Sequence, residues 1–266
     1  MPVETPWDPV ECLECILHAR PGLGRDEARV MIARDRTRAF VETYARLAGG
    51  GDPLRGLKDR LNRGVKELAA GLEPQDYEHA LRLMATANGV DWGMRGHKYT
   101  LEDLVTGRGV VWIPGVDPVV EAVEGSRRIA LLLDNAGEAV IDVAVAGWLA
   151  RRGHEVTLVA REEPYEVDVT YREAGELVES LGVEGVRLVS TGSRYPAPHP
   201  MASTMARRIL MESDLVLSKG IANYEAATEN PGRWRIVFLL RAKCGPIARQ
   251  YSVARGTPLV VAGFTL

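Results

Sequence analysis

Residues 127–190 read RRIALLLDNAGEAVIDVAVAGWLARRGHEVTLVAREEPYEVDVTYREAGELVESLGVEGVRLVS: a short run of Ile, Leu and Val, a turn, a segment of helical length, and the cycle again. Strand, turn and helix in alternation indicate βαβ units and a parallel sheet. The apolar runs are continuous rather than alternating, as strands buried on both faces should be. Reading onward, MASTMARRILMES, DLVLSK, NYEAATE, WRIVFLL, CGPIARQYS and PLVVA continue the pattern to the end of the chain, for six strands and five crossovers. Reading backward, residues 8–88 change period. ARVMIARDRTRAFVETYARLA and YEHALRLMATA place apolar residues at helical spacing. Residues 89–122 break into short pieces, read as a connecting segment with a short helix or two. The expected architecture is α/β: a doubly wound, mainly parallel six-stranded sheet over residues 126–266, preceded by a helical domain with its connecting segment over residues 1–125.

The 266 residues suffice for a large core, and 46% hydrophobic and 26% charged residues are those of an ordinary globular protein. A net charge of −3 provides no basic field for nucleic acid. No apolar stretch approaches a membrane span, and MPVETPWDPVE lacks the charged start and apolar centre of a signal peptide, so a cytoplasmic protein is expected. Three cysteines, Cys12, Cys15 and Cys244, are too few for a secreted disulfide scaffold. The basic residues are overwhelmingly arginine, and lysine occurs only at 58, 66, 98, 219 and 243.

In an open parallel sheet, ligands bind outside the carboxyl ends of the strands, where loops and helix amino termini converge. The polar residues obey that rule. Asp134 and Asn135 follow the first of the six runs and Asp168 the second. Ser190, Thr191 and Gly192 follow the third, Ser218 and Lys219 end the fourth, and Lys243 follows the fifth. In LLLDNAGE a strand delivers a carboxylate and an amide side by side, oxygen ligands suited to a hard divalent cation such as magnesium or manganese. The competing reading makes Asp134 or Asn135 the cap of the following helix. Asp168 supplies a second carboxylate at the neighbouring strand end, while Thr170 and Glu173 form a capping box for the helix after it. Lys219 with Gly220 resembles a phosphate cradle of backbone N–H groups and an ammonium, and Lys243 repeats that geometry one strand later; the alternative for either is a surface lysine. Together these residues suit phosphoryl transfer, the cation and ammonium groups neutralising phosphate oxygens. Asp134 is expected to bind a metal that activates water rather than to attack phosphorus, because an aspartyl nucleophile usually has a second Asp two residues on, where Ala136 stands. Cys12 and Cys15 share a helix face without the second pair a structural zinc needs, and are read as buried thiols, the alternative being a metal or redox accessory site shared with Cys244. No G-x-G-x-x-G follows the first strand, against a dinucleotide site.

LLLDNAGE, the aspartate of VDVT, SDLVLSKGIANYE, FLLRAKC and, more loosely, ATANGVDWG resemble the domain of unknown function 89 family of damage-control metal-dependent phosphatases; the amino-terminal C-x-x-C resembles its prokaryotic branch. The resemblance covers nearly the whole chain. It implies metal on Asp134, Asn135 and Asp168, with Asn88, Asp91, Lys219, Asn223 and Lys243 on the substrate side. Val167 stands where the family commonly has Asn. It also implies small phosphorylated metabolites as substrates, sugar phosphates or phosphopantetheine-type compounds, with manganese, cobalt, nickel or magnesium as cofactor. Two other classes compete: an S-adenosylmethionine-dependent methyltransferase, disfavoured by the missing glycine-rich loop, and a metal or metabolite sensor that binds without turnover.

Overall fold

The computed structural model describes residue 8 and residues 10–19, 23–90 and 98–264. Five helices come first: α1 (Glu11–Ala19), α2 (Arg25–Arg34), α3 (Arg36–Ala48), α4 (Arg55–Leu68) and α5 (Tyr77–Ala87). A 3-10 turn at Glu102–Val105 leads to β1 (Val111–Ile113) and α6 (Val116–Glu124). Alternation then sets in with β2 (Arg128–Leu132), α7 (Glu138–Arg151), β3 (Glu155–Ala160), α8 (Tyr171–Ser180), β4 (Val186–Ser190) and α9 (Thr204–Glu212). It closes with β5 (Leu215–Lys219), α10 (Gly220–Glu229), β6 (Ile236–Arg241), α11 (Gly245–Gln250) and β7 (Pro258–Ala262).

The strands form one sheet in the order β1-β7-β6-β5-β2-β3-β4. Strands β4, β3, β2, β5 and β6 are mutually parallel; β7 runs antiparallel to β6, and β1 parallel to β7. The sheet is thus mainly parallel, with seven strands in place of the expected six. The additional strand, β1, lies inside the segment read as a connection. Three residues between Gly109 and a Pro-Gly turn are too few to show a strand period, and the strand with which they pair lies at the other end of the sequence.

Strand alternation sends neighbouring side chains to opposite faces and builds two cores. Ile129, Leu131, Leu215, Leu217, Val237 and Leu239 pack with Leu61 and Val65 of α4, Leu81 and Met84 of α5, and α7. Ala130, Leu132, Val216, Phe238 and Leu240 pack with Leu210 of α9, Tyr224 of α10 and Ile247 of α11. Helices α4 and α5, which precede the sheet in sequence, therefore share its main core, whereas Leu13, Ile16, Ala28, Ile32 and Ala39 form a separate small cluster among α1–α3. Helix starts follow local chemistry. Asp35 accepts from the Arg38 N–H at the start of α3, Asp76 from His79 at α5, and Thr170 with Glu173 closes the expected capping box at α8. Among the described residues no helix is long and apolar enough to cross a membrane.

From β2 the chain moves outward through β3 and β4, then returns to β5 on the other side of β2. The carboxyl ends of β2 and β5 flank the point where strand order reverses, the position at which such sheets form a ligand crevice.

Candidate active site

Beyond Leu132 the chain continues nearly as a strand. The Leu133 N–H donates to the Val159 carbonyl (2.9 Å), the Val169 N–H to the Asp134 carbonyl (2.7 Å) and the Ala136 N–H to the Val167 carbonyl (2.8 Å). Asn135 pairs antiparallel with Asp168. This short ladder sets Asp134, Asn135 and Asp168 together at the crevice. Helix α7 starts behind them with Gly137 as its N-cap and no side-chain cap bond, so neither Asp134 nor Asn135 serves as the cap of the competing reading. On the opposite wall, β5 passes into α10 at Gly220, whose φ is +72° and where a β-carbon would stand 1.8 Å from Asp134 Oδ2. Only glycine lets that turn close onto the carboxylate.

Asp134, Asn135 and Asp168 are 4, 5 and 4% exposed. They line a cavity of about 420 Å³ together with Arg161, Tyr165 and Lys243, and with Cys12, Cys15, Arg36 and Thr37 from the amino-terminal helices. Lys243 Nζ donates to the Val90 carbonyl at 2.6 Å. Arg161 Nε donates to Asp168 Oδ2. Beneath this layer lies a second, fully buried one. Asn88 Nδ2 donates to Asp134 Oδ2 (3.1 Å) and to Glu138 Oε2 (2.8 Å). Asn135 donates its backbone N–H to Glu138 Oε1 (2.7 Å) and its Nδ2 to Asp134 Oδ2 (2.7 Å). One turn along α7, Asp142 Oδ1 accepts from Lys219 Nζ at 2.8 Å, and the same ammonium lies 3.4 Å from Glu138 Oε2.

Burial drives the electrostatics. It pushes the Asp134 carboxyl well above the usual carboxylate range; Asp168 and Glu138 push the same way, while Lys243 and Arg161 oppose. Burial also raises Asp168, with the Arg161 guanidinium pulling back. Asp142 is pushed up to about 7 by burial, against the pull of Lys219. For Lys219 burial opposes the charge, but Asp142 and Glu138 outweigh it and the ammonium ends above its ordinary value. Oxygen donors and crowded negative charge thus meet where a cavity opens, the donor chemistry a hard divalent cation takes. Among the described residues no group of three or more His, Cys, Asp or Glu side chains is gathered for a metal ion; the set expected from the sequence has two carboxylates and an amide.

The family model of the damage-control phosphatase ARMT1-like domain matches residues 34–259. The chain belongs to that family. Among related proteins, a damage-control phosphatase of Archaeoglobus fulgidus is 28% identical over 232 residues, covering 83% of this chain and 78% of its own. A damage-control phosphatase of Pyrococcus horikoshii is 27% identical over 225 residues, covering 82% of this chain and 76% of its own. A solved structure of a DUF89 family protein from Pyrococcus horikoshii superimposes with a TM-score of 0.72 at 23% identity, covering 99% of this chain and 100% of that one, which shows a shared fold. Cys12 and Cys15 lie outside the residues matched by the damage-control phosphatase domain.

Within this damage-control phosphatase fold, the residues named from sequence divide into two groups. Asp134, Asn135, Asp168 and Lys243 meet on one cavity. Lys219, Gly220, Asn223 and Asn88 lie beneath or beside it, not on its lining. The Lys219 ammonium, read from sequence as a phosphate contact, is instead enclosed by Asp142, Glu138 and the Met84 carbonyl, with its side chain fully buried. Asn223 braces the two strand ends, donating to the Leu133 and Lys219 carbonyls at 3.1 and 2.9 Å. Asp91 falls outside the described residues. Ser190 and Thr191 direct their hydroxyls to Glu162 and the Ser193 carbonyl. Cys12 and Cys15, read from sequence as buried, stand half-buried on the cavity wall with Cys244; burial raises Cys12, and raises Cys244 to about 12.

Sequence reasoning overlooked Glu138, Asp142 and Arg161. The signal for the first two was present: acids four residues apart in EAVIDVAVAGWLAR, a helix otherwise apolar on every side, need a buried cation. Arg161 follows β3 directly and satisfies the same strand-end rule that singled out Asp134.

Proposed function

We propose that the protein is a metal-dependent phosphomonoesterase acting on small phosphorylated metabolites, sugar phosphates or phosphopantetheine-type compounds. The observation that carries this reading is the meeting of Asp134, Asn135, Asp168 and Lys243 on one cavity at the strand-order reversal. The residues fit a divalent cation. Their side chains offer oxygens, Asp134 and Asp168 repel one another when charged, and the Gly220 turn closes directly onto the Asp134 carboxylate. Asp134, Asn135 and Asp168 would hold the ion. A divalent cation there supplies Lewis acidity toward phosphoryl oxygens and lowers the pKa of water. The chain's own groups do the rest. Asn88 and Asn135 orient the Asp134 carboxylate by donating to Oδ2, Arg161 fixes Asp168, and Lys243 holds positive charge at the cavity for an anionic substrate. A cavity of about 420 Å³ suits a small metabolite rather than a macromolecule. The relatives' name, damage-control phosphatase, supports the same class of chemistry.

The purified protein is expected to release phosphate from a generic phosphate ester with added manganese, cobalt, nickel or magnesium, and to lose that activity on exhaustive chelation. Full activity after chelation overturns the reading; binding of metal and phosphate without turnover makes the protein a sensor.

Asp134→Ala separates function from stability. A carboxyl whose folded pKa is raised binds its proton more tightly folded than unfolded, so its cost is absent below the ordinary carboxylate range and grows as pH rises toward the folded value. At neutral pH the metal-free variant is expected to melt no lower than wild type, while activity and the metal-induced rise disappear. That rise comes from binding to the folded form and corresponds to ~2.7 kcal/mol at a hundredfold excess over Kd. Melting curves with chelator and with excess manganese decide it; retention of the wild-type rise in the variant removes Asp134 from the metal site.

A further inference from the structure

Arg161 occupies the wall of the cavity immediately after β3, 4% exposed. Two of its three nitrogens are committed. Nε donates to Asp168 Oδ2 and Nη1 to the Arg194 carbonyl, while the guanidinium carbon stands 4.6 Å from the centre of the Tyr165 ring. The main chain is equally fixed: the Arg161 carbonyl accepts from the Tyr171 N–H at 2.6 Å, and Arg161 bridges Thr170. The third nitrogen, Nη2, is buried and has no hydrogen-bond partner. A buried, unsatisfied donor on a charged group is costly and is seldom left so without a function. Other cations near the cavity are differently employed. Arg36 is paired with Glu225 and Glu229 at 3.5 and 3.1 Å, and Lys219 has withdrawn beneath the cavity to Asp142.

We propose that Arg161 is a substrate-binding residue whose Nη2 donates to an oxygen of the substrate's phosphoryl group. The guanidinium has a double attachment: one edge fixes Asp168, and the remaining N–H group addresses a tetrahedral oxyanion, a division for which its planar set of donors is suited. Arg161 and Lys243 are then the cationic partners of the phosphate within the cavity, and the phosphate contact expected of Lys219 passes to Arg161. This rests on the phosphatase reading above and names the residue that recognises the anion.

Arg161→Lys tests it, because lysine keeps a cation beside Asp168 and removes the second attachment. In the manganese-loaded protein, the Kd for inorganic phosphate and the KM for a generic phosphate ester are expected to rise about tenfold, while the Kd for manganese stays within about threefold. A purely positioning role for Arg161 would shift metal affinity and kcat and leave phosphate affinity in place. An unchanged phosphate Kd with intact metal binding therefore overturns the proposal, as does failure of the wild type to bind phosphate. If the variant loses metal or fold, the crystal structure of the wild-type protein with manganese and phosphate decides. A phosphate oxygen within hydrogen-bond distance of Nη2 supports the assignment, and an anion bound elsewhere overturns it. Failure of the broader reading looks different: Arg161-dependent phosphate binding without ester hydrolysis would retire the phosphatase and leave the anion site standing.

Discussion

Lys219→Ala is expected to destabilise the protein by about 3–5 kcal/mol, the range found when one partner of a buried ion pair is removed. The side chain is fully buried, and its Nζ serves Asp142 Oδ1, Glu138 Oε2 and the Met84 carbonyl together. Without the ammonium, two carboxyl groups on successive turns of α7 remain in an apolar layer. Asp142 already stands at about 7 with Lys219 present, and its loss should raise that value further. The pH dependence follows. Protonated carboxyls tolerate the layer, so the loss is smallest in acid and grows as pH rises from the ordinary carboxylate range through neutrality. Urea unfolding of metal-free wild type and variant at pH 5.5 and pH 8 measures it. A variant within about 1 kcal/mol of wild type at both, with weakened phosphate affinity, would return Lys219 to the substrate. Lys219→Met combined with Asp142→Leu should recover much of the loss, because apolar groups of similar volume often replace a buried ion pair without cost.

Gly220→Ala is expected to abolish both activity and the metal-induced rise in melting temperature. Two penalties combine at this position. The left-handed backbone costs an alanine roughly 1–2 kcal/mol. The larger effect is steric: the methyl group would lie 1.8 Å from Oδ2 and 2.2 Å from Cγ of Asp134, so the carboxylate must move. Because Asp134 also receives hydrogen bonds from Asn88 and Asn135, displacing it breaks the layer that orients it. Retained metal binding in Gly220→Ala would mean that Asp134 does not need its observed position.

The main outline was legible because the signal was local. Continuous Val, Ile and Leu runs gave the interior strands, and Thr170 with Glu173 announced the start of α8 within four residues. That Asp134, Asn135 and Asp168 come together could be read because strand ends in a parallel sheet face one crevice, a rule that needs only sequence order. Strand β1 failed on length: three residues carry no period, and their partner lies at the far end of the chain. The role of Lys219 failed on direction. As the last residue of β5 it shares the parity of Leu215 and Leu217, which face the α7 layer, whereas Lys243 lies beyond the end of β6 and is free of the pleat. Parity was readable, but its meaning depended on recognising Asp142 as the partner across the layer. The unsatisfied nitrogen of Arg161 is a tertiary fact with no trace in the sequence.

The reversal of strand order also governs when the site can exist. Val90, Asp134, Asp168, Gly220 and Lys243 come from five separated stretches, and β5 reaches β2 only after β3, α8, β4 and α9 have been made. A nascent chain emerging from the ribosome would complete β2 through β4, with Asp134, Glu138, Asp142 and Asp168 already in place, well before Lys219 and Lys243 are synthesised. Such a fragment would carry Asp134, Glu138 and Asp142 without the two lysines, with only Arg161 set against Asp168, and uncompensated like charges oppose collapse. Closure of β5 onto β2 would relieve the repulsion and shape the cavity in one event.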